Sequence, residues 1–463
     1  MCRVITFATY FIKATMSKPI QKFSLGYMLF KLYSSFFIRK FYKTTTIVGL
    51  ENIKKDTPLI ITPNHQNTLM DALCIIYNIP GRAVFMARSD IFGKSKAITA
   101  ILRFLKILPI YRIRDGVKQL QNNDASFEEA VGVLEDKQKL VVLPEGSHLG
   151  QRRLRLLKKG VARIAFMAEE RNNFQLGIQI VPTGLDYSHY INFGSRFLVT
   201  YGKPIPVSKY KDLYYENPQK AMAAMMEDIK NAMVPLMLNL DNEAEYKTLE
   251  TLCNLYINNL YKGNQRKRRA SHKLILEQSQ RFGQKLLDFA NTNSDDYQNV
   301  KSKVTEVSEL LKKLNLRYWA IAQNGYSQVG IIINRILQLI TCPIFFIGYL
   351  VNILPFYLPV HFARKVKDPQ FLSSYRYVIA VITFTLFYTI YLVVLLIAMP
   401  KIWMALAASV AIPYLGMIAF RYYVWFKKVS AKSRINSYKR KGNKDWLRLI
   451  ECRDYINNVI KEL

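Results

Sequence analysis

Acidic residues, histidine and cysteine are all scarce in this chain. Asp and Glu number 33 against 66 Lys and Arg, and histidine occurs 5 times in 463 residues. The resulting formal charge of +33 points to a polyanionic partner: nucleic acid, acidic lipid headgroups or a phosphorylated substrate. The five cysteines, Cys2, Cys74, Cys253, Cys342 and Cys452, have neither metal-like spacing nor a paired framework. That excludes a disulfide-stapled scaffold, leaves no zinc site or other metal to propose, and fits a reducing compartment. A secretory leader is missing too. Val4 to Ile12 is apolar but short, with no small-residue cleavage site after it, so no signal peptide is read and Met16 is an alternative start.

Apolar residues, by contrast, make up half of the chain, and unevenly. Three uncharged runs, Ile336 to Leu354, Tyr377 to Met399 and Ile402 to Phe420, approach or exceed the roughly 20 residues of a bilayer span. They favour lipid over nucleic acid as the partner. The Gln265-Arg266-Lys267-Arg268-Arg269 stretch is accordingly read as a membrane-facing or solvated loop. Basic residues in His361 to Pro369 and in Arg421 to Lys444 place both segments on the cytoplasmic side. The second and third runs then form a hairpin turning at Pro400-Lys401. The first run, with Pro343 inside and Pro355 and Pro359 after it, is expected to bend or re-enter without crossing.

At this length two or three domains are expected. Residues 1–45 hold an interfacial helix, because aromatics and aliphatics from Phe23 to Tyr42 are interleaved with Lys31, Arg39 and Lys40; the bland alternative is a core helix of the next domain. Residues 46–240 alternate strand-like runs (Leu59 to Ile61, Ala83 to Met86, Leu140 to Leu143, Ile178 to Pro182, Phe197 to Tyr201) with helix-like ones (Asp71 to Tyr77, Lys94 to Phe104, Asp124 to Glu135, Gly160 to Glu169). Such alternation predicts an α/β domain with a mostly parallel sheet, whose functional loops lie at the carboxyl ends of the strands. Residues 241–325 are polar and helix-prone, with Val300, Val304, Val307, Leu311 and Leu314 at the spacing of a helical hairpin or short coiled coil. Membrane helices at 326–428 and a basic cytoplasmic tail at 429–463 complete the division.

The chemistry is concentrated in four short stretches. In Thr62-Pro63-Asn64-His65-Gln66-Asn67-Thr68-Leu69-Met70-Asp71, a histidine and an aspartate follow a buried strand, and Thr68 to Asp71 has the spacing of a helix cap. A neutral imidazole can take a proton from an alcohol while a carboxylate on its other nitrogen fixes the tautomer. The bland reading makes Asp71 a cap and His65 a loop residue. Leu108 to Asp115 supplies Arg112 after a short apolar run. In Leu140 to His148 a strand runs into Pro144-Glu145-Gly146-Ser147, and Gln151 to Arg163 follows with Arg152, Arg153, Arg155, Lys158 and Lys159 among its cations and no acid. Cations beside a glycine turn suit a phosphate, although a solvated or lipid-facing surface looks the same. Ile180 to Tyr187 leaves a strand through Pro182 and Gly184.

In this order the four stretches resemble the glycerolipid acyltransferase family, whose members acylate glycerol phosphate, dihydroxyacetone phosphate or lysophosphatidate. The resemblance covers about residues 45 to 237 and matches Asn64, His65 and Asp71 to the first block, Arg112 to the second, Pro144 to Ser147 to the third and Pro182 to the fourth. It departs twice. Five residues rather than four separate His65 from Asp71, a spacing similar to that of the branch acting on glycerol phosphate or dihydroxyacetone phosphate. His148 stands where the common third block has arginine, which would shift the phosphate contact to Arg152, Arg153 or Lys159.

The resemblance implies a membrane enzyme in which His65, oriented by Asp71, activates the acceptor hydroxyl against a thioester of acyl-CoA or an acyl carrier protein. Arg112, Arg152, Arg153 and Lys159 would hold the acceptor phosphate, and Asn64, Glu145, Gly146, Ser147 and Pro182 would shape its site. No cofactor is expected, and nucleic acid is not expected as a partner. Lysophosphatidate acylation, transacylation between phospholipids and a non-catalytic lipid-binding scaffold are the alternatives.

Overall fold

The computed structural model describes residues 19–92, 95–111, 122–265, 271–292, 294–366 and 368–463. Two compact units divide it, Met1–Asn239 and Leu240–Leu463. The Val4 to Ile12 run, Arg112 and the cations from Arg266 to Arg269 lie outside the described residues.

In the first unit, helix α1 (Leu25–Phe41) leads into an α/β domain built from β1 (Thr44–Val48), β2 (Leu59–Pro63), α2 (Leu69–Asn78), β3 (Ala83–Arg88), α3 (Lys96–Phe104) and β4 (Ile107–Ile110). There follow α4 (Asn122–Glu135), β5 (Lys139–Val141), α5 (Gly160–Arg171), β6 (Gln179–Tyr187), β7 (Arg196–Tyr201), β8 (Ile205–Pro206), α6 (Lys211–Glu216) and α7 (Pro218–Met233). The strands form one eight-stranded sheet ordered β1-β7-β6-β2-β5-β3-β4, with β8 beside β6. Every pair is parallel except β6 with β7 and β6 with β8.

β2 sits between β5 and β6, so all five of its residues are buried and the run reads as continuously apolar rather than alternating. Ile60, Val84, Leu140 and Ile180 from neighbouring strands share a core with Val131 and Leu134 of α4, Ile164 and Phe166 of α5, and Met225 and Ile229 of α7. Helix α1 is capped by Ser24, whose Oγ accepts the Tyr27 N–H, and it buries Tyr27, Ser34, Ile38 and Phe41. The Tyr77 hydroxyl donates to Ser34 Oγ and ties α1 to α2. The opposite side of α1 leaves Leu25, Leu29, Leu32 and Phe36 exposed.

The second unit is helical: α8 (Tyr246–Gln265), α9 (His272–Thr292), α10 (Asp295–Lys313), α11 (Gln328–Ala363), α12 (Leu372–Ala398), α13 (Ile402–Arg440) and α14 (Lys444–Glu462). The seam at Val300, Val304, Val307 and Leu311 is buried on α10. That helix packs along α14, where Arg448 makes a bidentate pair with Glu306. The expected basic tail therefore ends in a packed helix with Trp446, Leu449, Cys452 and Ile456 inside.

α11, α12 and α13 are long and apolar enough to cross a membrane. The first run lies in one 36-residue helix, α11, that includes Pro343, Pro355 and Pro359. It runs antiparallel to α13. Tyr326 pairs with Asn436 through two hydrogen bonds, Arg335 Nη2 donates to Ser430, Trp425 Nε1 to Asn334, Tyr422 to the Gln338 carbonyl, and Asn352 to the Ile412 carbonyl. Contact is close because Gly348 has no side chain: a Cβ there would lie 2.3 Å from the Leu415 carbonyl oxygen.

Tyr326 and Asn436 lie together at one end of the α11/α13 pair, and α12 bonds to α11 at Val351, Asn352 and Pro355.

Candidate active site

The site is built where β2 and its neighbours end. The chain leaves β2 at Pro63 and is pinned at once by Asn64, which is fully buried. Its Nδ2 donates to the Leu185 carbonyl at 3.1 Å, and its Oδ1 accepts the Leu185 N–H at 2.6 Å. This side chain thus acts as one more rung between the loop and β6, with both polar ends spent on the scaffold.

His65 follows. Its Nδ1 lies 2.9 Å from Asp71 Oδ2, so the five intervening residues do not separate the pair. The same oxygen accepts the Gln66 N–H at 2.9 Å and the Asn67 N–H at 2.7 Å. Asp71 is the third residue of α2 and reaches back over the preceding loop, where it ties the Gln66 and Asn67 N–H groups and the His65 ring to one oxygen. The expected cap, Thr68, supplies no side-chain cap bond. Instead it absorbs the extra residue. The Met70 N–H closes a turn on the Asn67 carbonyl at 3.0 Å, and Thr68 sits at the second position with φ 47° and ψ −125°. Those angles belong to a type II′ turn, which favours glycine there.

The Asp71 side chain is fully buried, whereas the His65 ring keeps 15% of its surface open. With Nδ1 committed to the carboxylate, Nε2 is the nitrogen left to take a proton from a bound hydroxyl.

The third stretch closes beneath His65. Glu145 is buried, with Oε1 accepting the His65 N–H at 2.7 Å and Oε2 the Arg155 N–H at 3.2 Å. Burial pushes its carboxyl up to about 7, against the pull of those two N–H donors. Asp71 adds to the rise and the Arg155 charge opposes it. Gly146 takes φ +65°, which lets the chain reverse immediately after Glu145. The Leu149 N–H donates to the His65 carbonyl at 3.1 Å, and His148 stands edge-on to His65 with ring centres 5.5 Å apart. Glu145 thus holds the backbone of the histidine, and Ser147 lies half-buried in the turn.

The expected phosphate cations are placed unequally. Arg112 is outside the described residues, although Tyr111 just before it is bracketed by the Asn123 amide through two 2.8 Å bonds. Arg152 is buried, and its Nη2 donates to the Tyr187 carbonyl at 3.1 Å. Arg153 is half-buried. Lys159 stands exposed before α5, its Nζ 3.4 Å from Gln219 Oε1. Pro182 lies inside β6, paired in register with Thr62.

The loop geometry therefore gathers Asn64, His65, Asp71, Glu145 and Gly146, and brings Arg152 in behind Tyr187. Tyr187 was assigned no role from the sequence, and Arg155 only one shared with its cluster of cations. Tyr187 donates its hydroxyl to Asp71 Oδ1 at 2.7 Å, and exposed Arg155 reaches the His148 carbonyl at 3.5 Å. A tyrosine ending an apolar run signals a buried hydroxyl that needs a partner, but the run does not say which partner.

Residues 44–186 match the family model described as Acyltransferase. Glycerol-3-phosphate O-acyltransferase 2 of Saccharomyces cerevisiae is 30% identical over 129 residues, which are 28% of this chain and 17% of that protein. Glycerol-3-phosphate O-acyltransferase 1 of the same yeast is 27% identical over 119 residues, 25% of this chain and 16% of that one. The chain thus spans less than a fifth of either yeast relative. A solved structure, the 1-acyl-sn-glycerophosphate (LPA) acyltransferase PlsC from Thermotoga maritima, aligns with 50% of this chain and 98% of its own at 19% identity and a TM-score of 0.30.

Proposed function

We propose, on the premise that residues 44–186 are an acyltransferase domain of the glycerolipid family, that this chain moves a fatty acyl group from a thioester to a glycerol phosphate-type acceptor in phospholipid biosynthesis. The observation that carries the reading is the dry Asp71 carboxylate bonded to Nδ1 of a partly open His65, at the carboxyl end of the central strand. In this mechanism Nε2 of His65 removes the acceptor's hydroxyl proton as the oxygen attacks the thioester carbon. The tetrahedral intermediate then expels the thiolate, which takes the proton back from the imidazolium. Asp71 steadies that imidazolium, and Glu145 keeps the histidine backbone in place.

Glycerol 3-phosphate or dihydroxyacetone phosphate is the acceptor we favour, supported by the five-residue spacing and by the names of the two yeast relatives. Acyl-CoA or an acyl carrier protein is the donor. Arg112, Arg153 and Lys159 are the proposed phosphate ligands, joined by Arg155, while buried Arg152 supports the loop from behind. Helix α1 presents Leu25, Leu29, Leu32 and Phe36 to lipid at the membrane surface.

For the membrane helices we infer that α11 crosses and that the number of crossings is even, because Tyr326 before α11 pairs with Asn436 near the end of α13. The Lys- and Arg-rich end of α13 is cytoplasmic, together with the chain before α11 and the catalytic domain. Reporters fused after Glu309 and at Leu463 should both report cytoplasm and one after Lys365 the opposite side; a shared side for Glu309 and Lys365 rules this out.

The enzyme test is an acceptor screen with labelled acyl-CoA and purified protein, run beside His65→Ala. General-base loss costs on the order of a hundred- to ten-thousand-fold, so the variant should be folded and nearly inactive. Undiminished turnover in it would refute the base assignment, and no transfer to any acceptor would favour a lipid-binding scaffold.

A further inference from the structure

Asp71 carries four hydrogen bonds on two oxygens, and the oxygens are not alike. Oδ2 is surrounded by His65 Nδ1 and the N–H groups of Gln66 and Asn67. Among the described residues, the donor bonded to Oδ1 is the Tyr187 hydroxyl at 2.7 Å. Both side chains have no solvent exposure. Without that hydroxyl a buried carboxylate oxygen would lack a partner, and its charge would swing toward whatever donor remained.

We propose that Tyr187 is a positioning residue for acyl transfer: its hydroxyl fixes the rotation of the Asp71 carboxylate and tempers its charge, and so sets the orientation and basicity of His65. This rests on the acyl-transfer reading. Tyr187 is the last residue of β6, paired in register with Phe197 of β7. Its ring is held among Phe197, Tyr190 and Tyr42, with centres 5.0, 5.7 and 6.0 Å away. The Tyr187 carbonyl accepts Arg152 Nη2, so the third stretch, which already holds His65 through Glu145, also holds the residue behind Asp71. Burial and the neighbouring Asp71 carboxylate push the phenol well above its ordinary range, so it stays protonated and acts as a donor throughout the working pH range.

The ionisable groups facing the Asp71–Tyr187 pair are His65 with His148 beyond it, Glu145 near Asp71, and buried Cys74, which neighbours Tyr42. The Cys74 thiol is held protonated by burial, and burial also raises the Glu145 carboxyl.

The test is Tyr187→Phe, which keeps the ring and removes the donor. Turnover should fall about tenfold with KM for donor and acceptor unchanged, the lower end of what a hydrogen bond to a charge is worth. The rising limb of the kcat/KM profile should move up by about one pH unit, because an untempered carboxylate steadies the imidazolium more. In an Asp71→Asn background the same substitution should add less than about twofold, since the effect runs through the carboxylate. Should Tyr187→Phe not fold, 3-fluorotyrosine at position 187, a stronger donor of nearly the same shape, should move the limb downward instead.

An unmoved limb in both variants, or equal losses with and without Asp71, overturns the proposal. His65→Ala separates the two levels: an inactive His65→Ala beside a wild-type Tyr187→Phe removes only the tyrosine role, whereas an active His65→Ala removes the acyl-transfer reading itself.

Discussion

Two buried polar centres, one in each unit, are built in opposite ways. Charge is gathered in the first: Asp71, fully buried, takes donors from His65, Gln66, Asn67 and Tyr187, and Glu145 below it takes two backbone N–H groups. Between Asn352 and its neighbours in the second unit, only neutral groups are used. The Asn352 amide donates to the Gly348 and Ile412 carbonyls and accepts the Tyr388 hydroxyl, while Thr383 donates to the Pro355 carbonyl. A buried charge is costly unless fully bonded, and it is kept where a reaction can use it. A neutral amide among apolar helices has the cheaper task of fixing how they cross.

Removing the charge gives the largest expected effect. Asp71→Asn keeps the shape but turns an NH2 group toward donors. Turnover should fall by about a thousandfold or more, as when the orienting acid of a catalytic histidine is replaced by its amide. Steady-state kinetics on protein with an unchanged far-UV spectrum checks this. A loss under about tenfold would mean that the carboxylate is mainly a cap.

Breaking the neutral unit should instead cost stability. In Gly348→Val the new side chain begins 2.3 Å from the Leu415 carbonyl oxygen, so α11 and α13 must separate. We expect a loss of about 3 kcal/mol, at the upper end for overpacking. Cysteines placed at Gln338 and Tyr422, which touch in the native pair, should then cross-link poorly in membranes. Undiminished cross-linking would show that the close approach is dispensable.

Glu145 sharpens the comparison through pH. Its carboxyl titrates near 7 when folded and near the ordinary 4.5 when unfolded, so between those values the folded state holds a proton that the unfolded state has lost. The contribution is fully present below about 4.5 and disappears as pH rises through 7, on the order of 3 kcal/mol in all. Glu145→Gln carries no such dependence. Stability of the variant relative to wild type should therefore rise from pH 5 to pH 8, over any constant penalty from an amide facing the Arg155 N–H. Parallel melting curves across that range would remove the buried, proton-holding role.

How much of this was legible in the sequence follows from whether the signal is local. Leu59 to Ile61, Ala83 to Met86 and Phe197 to Tyr201 were readable as strands because a strand buried on both sides must be a continuous apolar run. His65 and Asp71 were readable as a pair because six positions of chain hold them near each other. Tyr187 lies 116 positions from Asp71, and only the pairing of β6 beside β2 brings them together. The burial of Arg152 is equally long-range, since its Nη2 donates to a strand-end carbonyl 35 positions away. In the second unit, composition identified three apolar runs, but their order along a bilayer depends on Tyr326, Trp425 and Asn352 choosing partners across α11 and α13. Proline content suggested a first run that bends or re-enters; the three prolines stand inside one helix, whose neighbours can satisfy the carbonyls that proline leaves unbonded.

The smallest effect tests the turn that makes the charged centre possible. Thr68 is a β-branched residue at φ 47°, in the type II′ position where glycine has no steric cost. Such strain is worth on the order of 1 to 3 kcal/mol and persists when the surroundings over-determine it. Here the surroundings are the bonds that Asp71 makes to Gln66 and Asn67, on the far side of the same turn. Thr68→Gly should release the strain and lose part of the gain to the greater freedom of the unfolded chain, a net stabilisation of about 1 kcal/mol. In a unit of this size that is a rise of about 2 to 4 °C in Tm. Turnover should stay within about twofold, because the carboxylate and not the threonine holds the histidine. A fall in Tm would show that the threonine side chain contributes more than its backbone costs, and a large loss of turnover at raised Tm would mean that the strained turn itself keeps His65 in register with Asp71.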